Sequence, residues 1–300
     1  METATCDTIG PRPRLPVWMR RRLLDSEEVI ELKKKLRSLN LHTVCQSAGC
    51  PNIGECFRKP TATFLILGDT CTRRCRFCGV SKGPPQSVDP GEPRRIAEAV
   101  RMLRLKHAVV TSVTRDDLQD GGAEQFARTV RQIHEVLPET TVETLIPDFQ
   151  GNLESLRIVL DSQVAILNHN IETVPSLYAA VRVGADFQRS LNILREAKEM
   201  APRVIVKSGL MVGLGETEKE MVDVFNRLHE NRCDVLTIGQ YLPPNKESIP
   251  VKTFVSPEGF RTYEHLARKA GIRWVSSGPY VRSSFNADEL MRKVKENDGE

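Results

Sequence analysis

From residue 63 to residue 277, apolar β-branched runs alternate with amphipathic helical patterns, and this constrains the fold more than any other feature of the chain. The runs are "TFLIL" (63–67), "HAVVTSV" (107–113), "TTVETLI" (140–146), "QVAILNHN" (163–170), "RVIVKSGLMVG" (203–213), "DVLTIGQYL" (234–242) and "IRWVSS" (272–277). Between them lie six stretches, from "EPRRIAEAVRMLRL" to "PEGFRTYEHLARKAG", with apolar residues at helical spacing over about three turns. Thr217 with Glu220 three residues on reads as a helix start, and Gly271 as a helix stop. Six or seven such repeats predict a parallel sheet with helical crossovers. Strands that are apolar throughout fit a sheet buried on both faces. No Gly-rich phosphate fingerprint opens the first helix, so a full or partial (β/α) barrel is favoured over a dinucleotide-binding sheet. In such barrels the site lies at the C-terminal ends of the strands.

Composition excludes several function classes. Forty-three basic and 39 acidic residues leave a net charge of +4, too balanced for a polyanionic partner, and 5% aromatic residues leave little for base stacking. The densest basic run, from Arg20, reads as a solvated helix start. No apolar stretch approaches the roughly 18 residues that a membrane span needs. The first 18 residues lack the apolar core of a secretory signal. The expectation is a cytoplasmic protein, kept reduced, with no nucleic-acid or membrane partner.

Eight cysteines in a reduced chain need a purpose other than disulfides. Cys6 and Cys233 are isolated, and Cys233 reads as a small buried hydrophobe. The other six form two groups of three, Cys45, Cys50 and Cys56, then Cys71, Cys75 and Cys78. Structural zinc takes four closed ligands; Cys71, Cys75 and Cys78 have no fourth Cys or His close by, and the first group again supplies three cysteines rather than four. Gly68, Asp69 and Thr70 before the second group and Gly79 after it mark a loop directly after the first strand. A 4Fe–4S cluster held by three thiolates leaves one iron open to chelate a substrate or cofactor. A metal-binding scaffold without catalysis would have no use for open positions above a buried barrel.

The pattern C-x3-C-x2-C, with Phe77 before the last cysteine and a strand before the first, resembles the radical S-adenosylmethionine (SAM) superfamily. The resemblance implies that the open iron binds SAM and that one electron from the cluster yields a 5′-deoxyadenosyl radical, which abstracts hydrogen from an unactivated carbon. Cluster potentials reach about −700 mV, low enough for that step. With "CQSAGCPNIGEC" just upstream and "RSS" at 282–284, the chain is similar to one family in particular, the lipoyl synthases. The similarity runs from about Cys45 to Ala287 and includes "TSVTRDDLQDGGA", "ETLIPDFQG", "NHNIETVPSLYAAVR", "KSGLMVGLGETEKE" and "DVLTIGQYLPP".

The resemblance implies a partial barrel of about six parallel strands, residues 63–281, with extensions covering the open rim. Residues 1–62 would carry an auxiliary 4Fe–4S cluster on Cys45, Cys50 and Cys56, and the tail 282–300 would supply its fourth ligand, Ser283. Phe285 stands where the family usually has tyrosine. Asn170 and Glu172 would hold the SAM ribose, and Gly213 and Gly215 would let backbone approach the adenine. Arg115, Asp116 and Asp117 are further candidates for the pocket lining, and the arginines of "CTRRCRFC" either face solvent or offset cluster charge. The implied reaction inserts two sulfur atoms, at C6 and C8, into an octanoyl group on a lysine of a lipoyl-carrier protein. The carriers are acyltransferase subunits of 2-oxo acid dehydrogenases and the glycine-cleavage carrier protein. A flavodoxin- or ferredoxin-like donor and an iron–sulfur carrier complete the implied partners. The alternative is another radical SAM sulfur-inserting enzyme acting on a different substrate; the widely spaced extra cysteines and RNA-binding tail of methylthiotransferases are missing.

Overall fold

The structure, a computed structural model, describes residues 14–20, 27–47, 49–56 and 63–284 of the 300-residue chain. Cys6, Phe285 and the rest of the tail lie outside the described residues. Ahead of the barrel come α1 (Glu27–Ser38), β1 (His42–Thr43), α2 (Val44–Ser47) and α3 (Ile53–Cys56). Then follow β2 (Thr63–Ile66), β3 (Thr70–Cys71), β4 (Ser81–Lys82), α4 (Glu92–Met102), β5 (His107–Ser112), α5 (Ala123–Val136) and β6 (Thr141–Leu145). The chain continues through α6 (Leu153–Leu160), β7 (Ile166–Asn168), α7 (Tyr178–Val181), α8 (Phe187–Met200) and β8 (Ile205–Val212). It ends with α9 (Glu218–Glu230), β9 (Val235–Gln240), α10 (Pro257–Lys269) and β10 (Trp274–Gly278).

Each of the seven apolar runs contains a strand of the main sheet, whose order is β1-β2-β5-β6-β7-β8-β9-β10. β2 and β5 through β10 pair in parallel, one strand more than the six or so expected, and β1 adds an antiparallel edge on β2. The sheet ends at β1 and β10 and is not closed, so the barrel is partial. β2 and β9 are buried at every residue, which is why their sequences are apolar or small without alternation. Thr217 and Glu220 form the reciprocal capping box at the start of α9. One core cluster joins Val29, Leu32 and Leu36 of α1 to Phe64, Val110 and Val206 of the sheet. Among the described residues no helix is long and apolar enough to cross a membrane.

Inside the barrel lies a buried charged group. Lys207 Nζ donates to both carboxylate oxygens of Glu143 at 2.9 Å, and Asn168 Nδ2 donates to Glu143 Oε1 at 2.8 Å. Lys207 and Glu143 are 1% and 0% exposed, so the pair is sealed from water. Burial raises the Glu143 carboxyl, but the charge of Lys207 and then His107 bring it down to about 2.

After β10 the chain turns inward across the strand ends. The Val281 carbonyl lies where a Cβ on Gly239 would be, and Ser283 Oγ lies 2.9 Å from where one on Gly209 would be. These two strand glycines leave the room through which the tail passes.

Candidate active site

The Cys71–Cys78 loop is a loop, as its flanking residues predict, and it starts from the short β3–β4 pair. Backbone and hydroxyl contacts fasten it to the next strand end. Thr72 N and Oγ1 donate to Thr114 O, Asp116 N donates to Thr72 Oγ1, and Thr114 N donates to Cys71 Sγ at 3.3 Å. Gly79 is pressed between Pro244 and the backbone of Ser47, so this loop abuts α2 of the other cysteine segment. Burial pushes the Cys75 thiol up to about 11, with the buried Arg182 guanidinium opposing it, and burial also pushes Cys78 up. The charges of Cys78 and Cys71 add to the rise at Cys75, and that of Cys71 adds to the rise at Cys78.

Arg73 has a task that its place in "CTRRCRFC" did not disclose. Its side chain is 8% exposed; Nε donates to Asp116 at 2.7 Å, and Nη2 reaches both Asp116 at 2.9 Å and Asp148 at 2.5 Å. Arg73 therefore ties the loop to the rim beyond β5 and β6. Burial raises Asp148, yet the bond and charge from Arg73 bring it down to about 2. Asp148→Ala leaves a buried guanidinium half-paired and should cost about 3 kcal/mol of unfolding free energy. It should also lower the iron retained by the reconstituted protein, read by metal analysis beside urea unfolding. Arg189 contributes a longer, 3.5 Å contact to Asp148 from a partly exposed side chain. Arg189→Ala should therefore change stability by less than about 1 kcal/mol.

The second cysteine group meets the tail. Cys45 is buried on α2, and burial followed by the charges of Cys50 and Cys56 pushes its thiol up to about 12. A hydrogen bond from Thr63 opposes the rise, and the Thr63 hydroxyl also donates to Ser284 Oγ at 2.8 Å. Asn52, 1% exposed, donates to Tyr280 O at 2.7 Å. Burial lowers the Arg282 guanidinium, while the Cys50 thiolate opposes that shift. Cys45 touches the first residue of β2 and Cys71 lies beyond its last, about 13 Å along the strand at about 3.3 Å per residue, while Gly79 just past Cys78 meets Ser47 on α2.

Asn170 and Glu172 follow β7. Glu172 has φ +65°, unusual for a non-glycine residue, and is held there because its N–H donates to Gly209 O while its C=O accepts from Met211 N. Burial raises its carboxyl, opposed by Arg182 and by the bond from Asn170. Gly213 and Gly215 both have positive φ, +93° and +116°. A side chain at Gly213 would collide with Gln240 and the Thr253 carbonyl. Its N–H donates to Glu216 and its C=O accepts from Lys252 and Thr253, so crowding and turn geometry by themselves require glycine there. Gly215 is more open, with Lys252 Cγ at 3.7 Å its nearest neighbour. Arg115 and Asp117 pair with each other at 2.8 Å, while Asp116 serves Arg73.

None of the seven described cysteines is in a disulfide. Among the described residues no three His, Cys, Asp or Glu side chains gather tightly enough to hold one metal ion. A four-iron cube takes each thiolate on a different iron, so its ligands need not converge on one point. Three half-buried thiols on one loop beside a buried cation fit such a cube. Arg182, Asp148, Asn52 and Thr63 were not singled out by the sequence. Asp148 and Arg182 lay within segments that follow strands, Asn52 lay within the first cysteine group and Thr63 opened the first apolar run, and nothing else marked them.

Residues 65–228 match the model of the radical SAM superfamily. The lipoyl synthase of Caldanaerobacter subterraneus subsp. tengcongensis is 54% identical over 275 residues, covering 92% of this chain and 96% of that one. The lipoyl synthase of Koribacter versatilis is also 54% identical, over 95% of this chain and 94% of its own. The crystal structure of methylornithine synthase superposes with a TM-score of 0.52 at 16% identity, over 88% of this chain and 84% of that one, a likeness of fold. With the open barrel, the cysteine loop after its first parallel strand and near full-length similarity to both relatives, the chain belongs to the lipoyl synthase family of the radical SAM superfamily.

Proposed function

We propose that the chain inserts sulfur at C6 and C8 of an octanoyl group carried on a protein lysine. Cys71, Cys75 and Cys78 would hold the 4Fe–4S cluster that goes with SAM in this superfamily; Cys45, Cys50, Cys56 and Ser283 would hold a second cluster that gives up its sulfur. The meeting of the Cys45–Cys56 segment with the tail supports this reading most directly, through Asn52 with Tyr280 and Thr63 with Ser284. When bound, the first cluster with SAM supplies a radical able to remove hydrogen from an unactivated carbon.

The remaining work falls to the chain. Glu172 and Asn170 accept and orient the ribose hydroxyls, since a fixed buried carboxylate suits a diol. Arg182 supplies positive charge beside Cys75 and Glu172. Gly215, with Gly213 shaping the turn, lets backbone come near the adenine. The apolar strands beneath exclude water from the radical. An octanoylated lipoyl-carrier protein would present its acyl chain at this rim, with a flavodoxin- or ferredoxin-like donor for electrons and an iron–sulfur carrier to restore the consumed cluster.

An anaerobic single turnover tests the proposal. The reconstituted protein receives SAM, a strong reductant and an octanoyl-lysine peptide, and products are read by mass spectrometry. Sulfurated peptide together with 5′-deoxyadenosine is expected; deoxyadenosine with an unchanged peptide would reject the substrate. Ser283→Cys should keep its iron yet transfer less sulfur, because oxygen holds iron in a soft-ligand site less firmly than thiolate does. Full sulfur transfer by that variant would remove the argument for a labile oxygen ligand.

A further inference from the structure

Asn170 stands between the two halves of the site. Its Oδ1 accepts from Ser283 Oγ at 3.0 Å, across 113 residues of sequence, and its Nδ2 donates to Glu172 Oε1 at 3.1 Å. The amide nitrogen thus faces the carboxylate oxygen of Glu172, and the amide oxygen faces the hydroxyl. β8 is built around this contact. A Cβ on Gly209 would lie 2.6 Å from Asn170 Oδ1 and 2.9 Å from Ser283 Oγ, and Gly209 O also accepts the N–H of Glu172.

We propose that Asn170 is a positioning residue that couples the SAM side of the site to the tail serine. With both ends of the planar amide engaged, Ser283 fixes the face that Asn170 turns to Glu172. If the serine leaves, the amide is free to rotate, and a ligand at Glu172 must order it again on binding. Coupling of this kind is reciprocal, so SAM also strengthens the hold on the tail. The inference rests on the proposed assignment of Asn170 and Glu172 to SAM.

The test measures SAM affinity by equilibrium dialysis with labelled SAM, without turnover, in a reconstituted Cys45, Cys50, Cys56→Ala background, where no second cluster draws the Ser283 oxygen away from Asn170. Ser283→Ala should weaken binding by about fivefold, the lower range of site-to-site coupling. Asn170→Ala should weaken it further, and the double variant should bind no worse than Asn170→Ala alone. Independent, multiplying effects in the double variant, or native affinity in Ser283→Ala, would overturn the coupling. Gly209→Ala, which crowds the contact, should reproduce the Ser283→Ala loss with an unchanged circular dichroism spectrum. If Glu172→Ala leaves SAM affinity native, the ribose assignment itself fails. If Glu172→Ala weakens binding while Ser283→Ala does not, the coupling alone fails.

Discussion

Cys75→Ala protein, reconstituted with iron and sulfide and given SAM and reductant, should release 5′-deoxyadenosine more than about a hundredfold more slowly than the parent. Losing an outer partner of a metal ligand already costs about 10–100-fold, and on the proposed assignment this change removes a ligand itself. The Cys75 thiol is buried and pushed up to about 11, so the thiolate is supplied only when a metal takes its place beside the sulfur. Arg182 lowers the cost of that charge without supplying a ligand. Cys45→Ala should behave differently. Cys45 lies at the other end of β2 from Cys71 and belongs to the other thiol group, so deoxyadenosine should still form while no sulfur reaches the octanoyl peptide. Chromatography of the nucleoside and mass spectrometry of the peptide read both outcomes, and parent-like nucleoside release by Cys75→Ala would reject the loop as the cluster site.

Lys207→Ala should lower the free energy of unfolding by about 3–5 kcal/mol, because it leaves the Glu143 carboxylate buried without its cation. Replacing both residues with apolar ones of similar volume should recover most of that loss, a non-additivity that a double-mutant cycle in urea reads directly. The pH dependence should change sign. In the parent, the Glu143 carboxyl sits below its ordinary value. Its contribution is therefore fully present above about pH 4.5 and fades as pH falls toward about 2. In Lys207→Ala the larger opposing charge is gone and burial outweighs what His107 still supplies, so the carboxyl moves above its ordinary value. The variant is then penalised more as pH rises, and the gap between variant and parent should narrow from pH 7 to pH 4. A constant gap would show that the ion pair is not the cause.

What the sequence disclosed follows the range of the forces involved. Strand and helix periodicity is local, so β8 and α9 could be read from "RVIVKSGLMVG" and "TEKEMVDVFNRLHEN" without knowledge of their neighbours. The six clustered cysteines were legible because ligand chemistry leaves a spacing. "QVAILNHN" was read as one continuous run, yet β7 covers only Ile166–Asn168. Beyond it, Glu172 is drawn against Gly209 and Leu210 of β8, a pairing that only the folded sheet decides. Gly213 carried a glycine signal, but the crowding that requires it comes from Gln240 and Thr253. Arg73 looked like any loop arginine because Asp116 and Asp148 lie 43 and 75 residues away.

The inward path of the tail fixes an order of assembly. Asn52 waits 228 residues for Tyr280, and Thr63 waits 221 for Ser284. A nascent chain can form the Cys71–Cys78 loop and its anchors to Thr114, Asp116 and Asp148 once about half its length is made. The pocket around Cys45 and Cys50 gains its last wall only when synthesis is nearly complete. Contacts so distant in sequence are slow to form. On the proposed assignment, iron–sulfur loading at the Cys45 group would be a step of the finished polypeptide, and ribosome-bound chains truncated before residue 280 should take up iron at the Cys71 loop first.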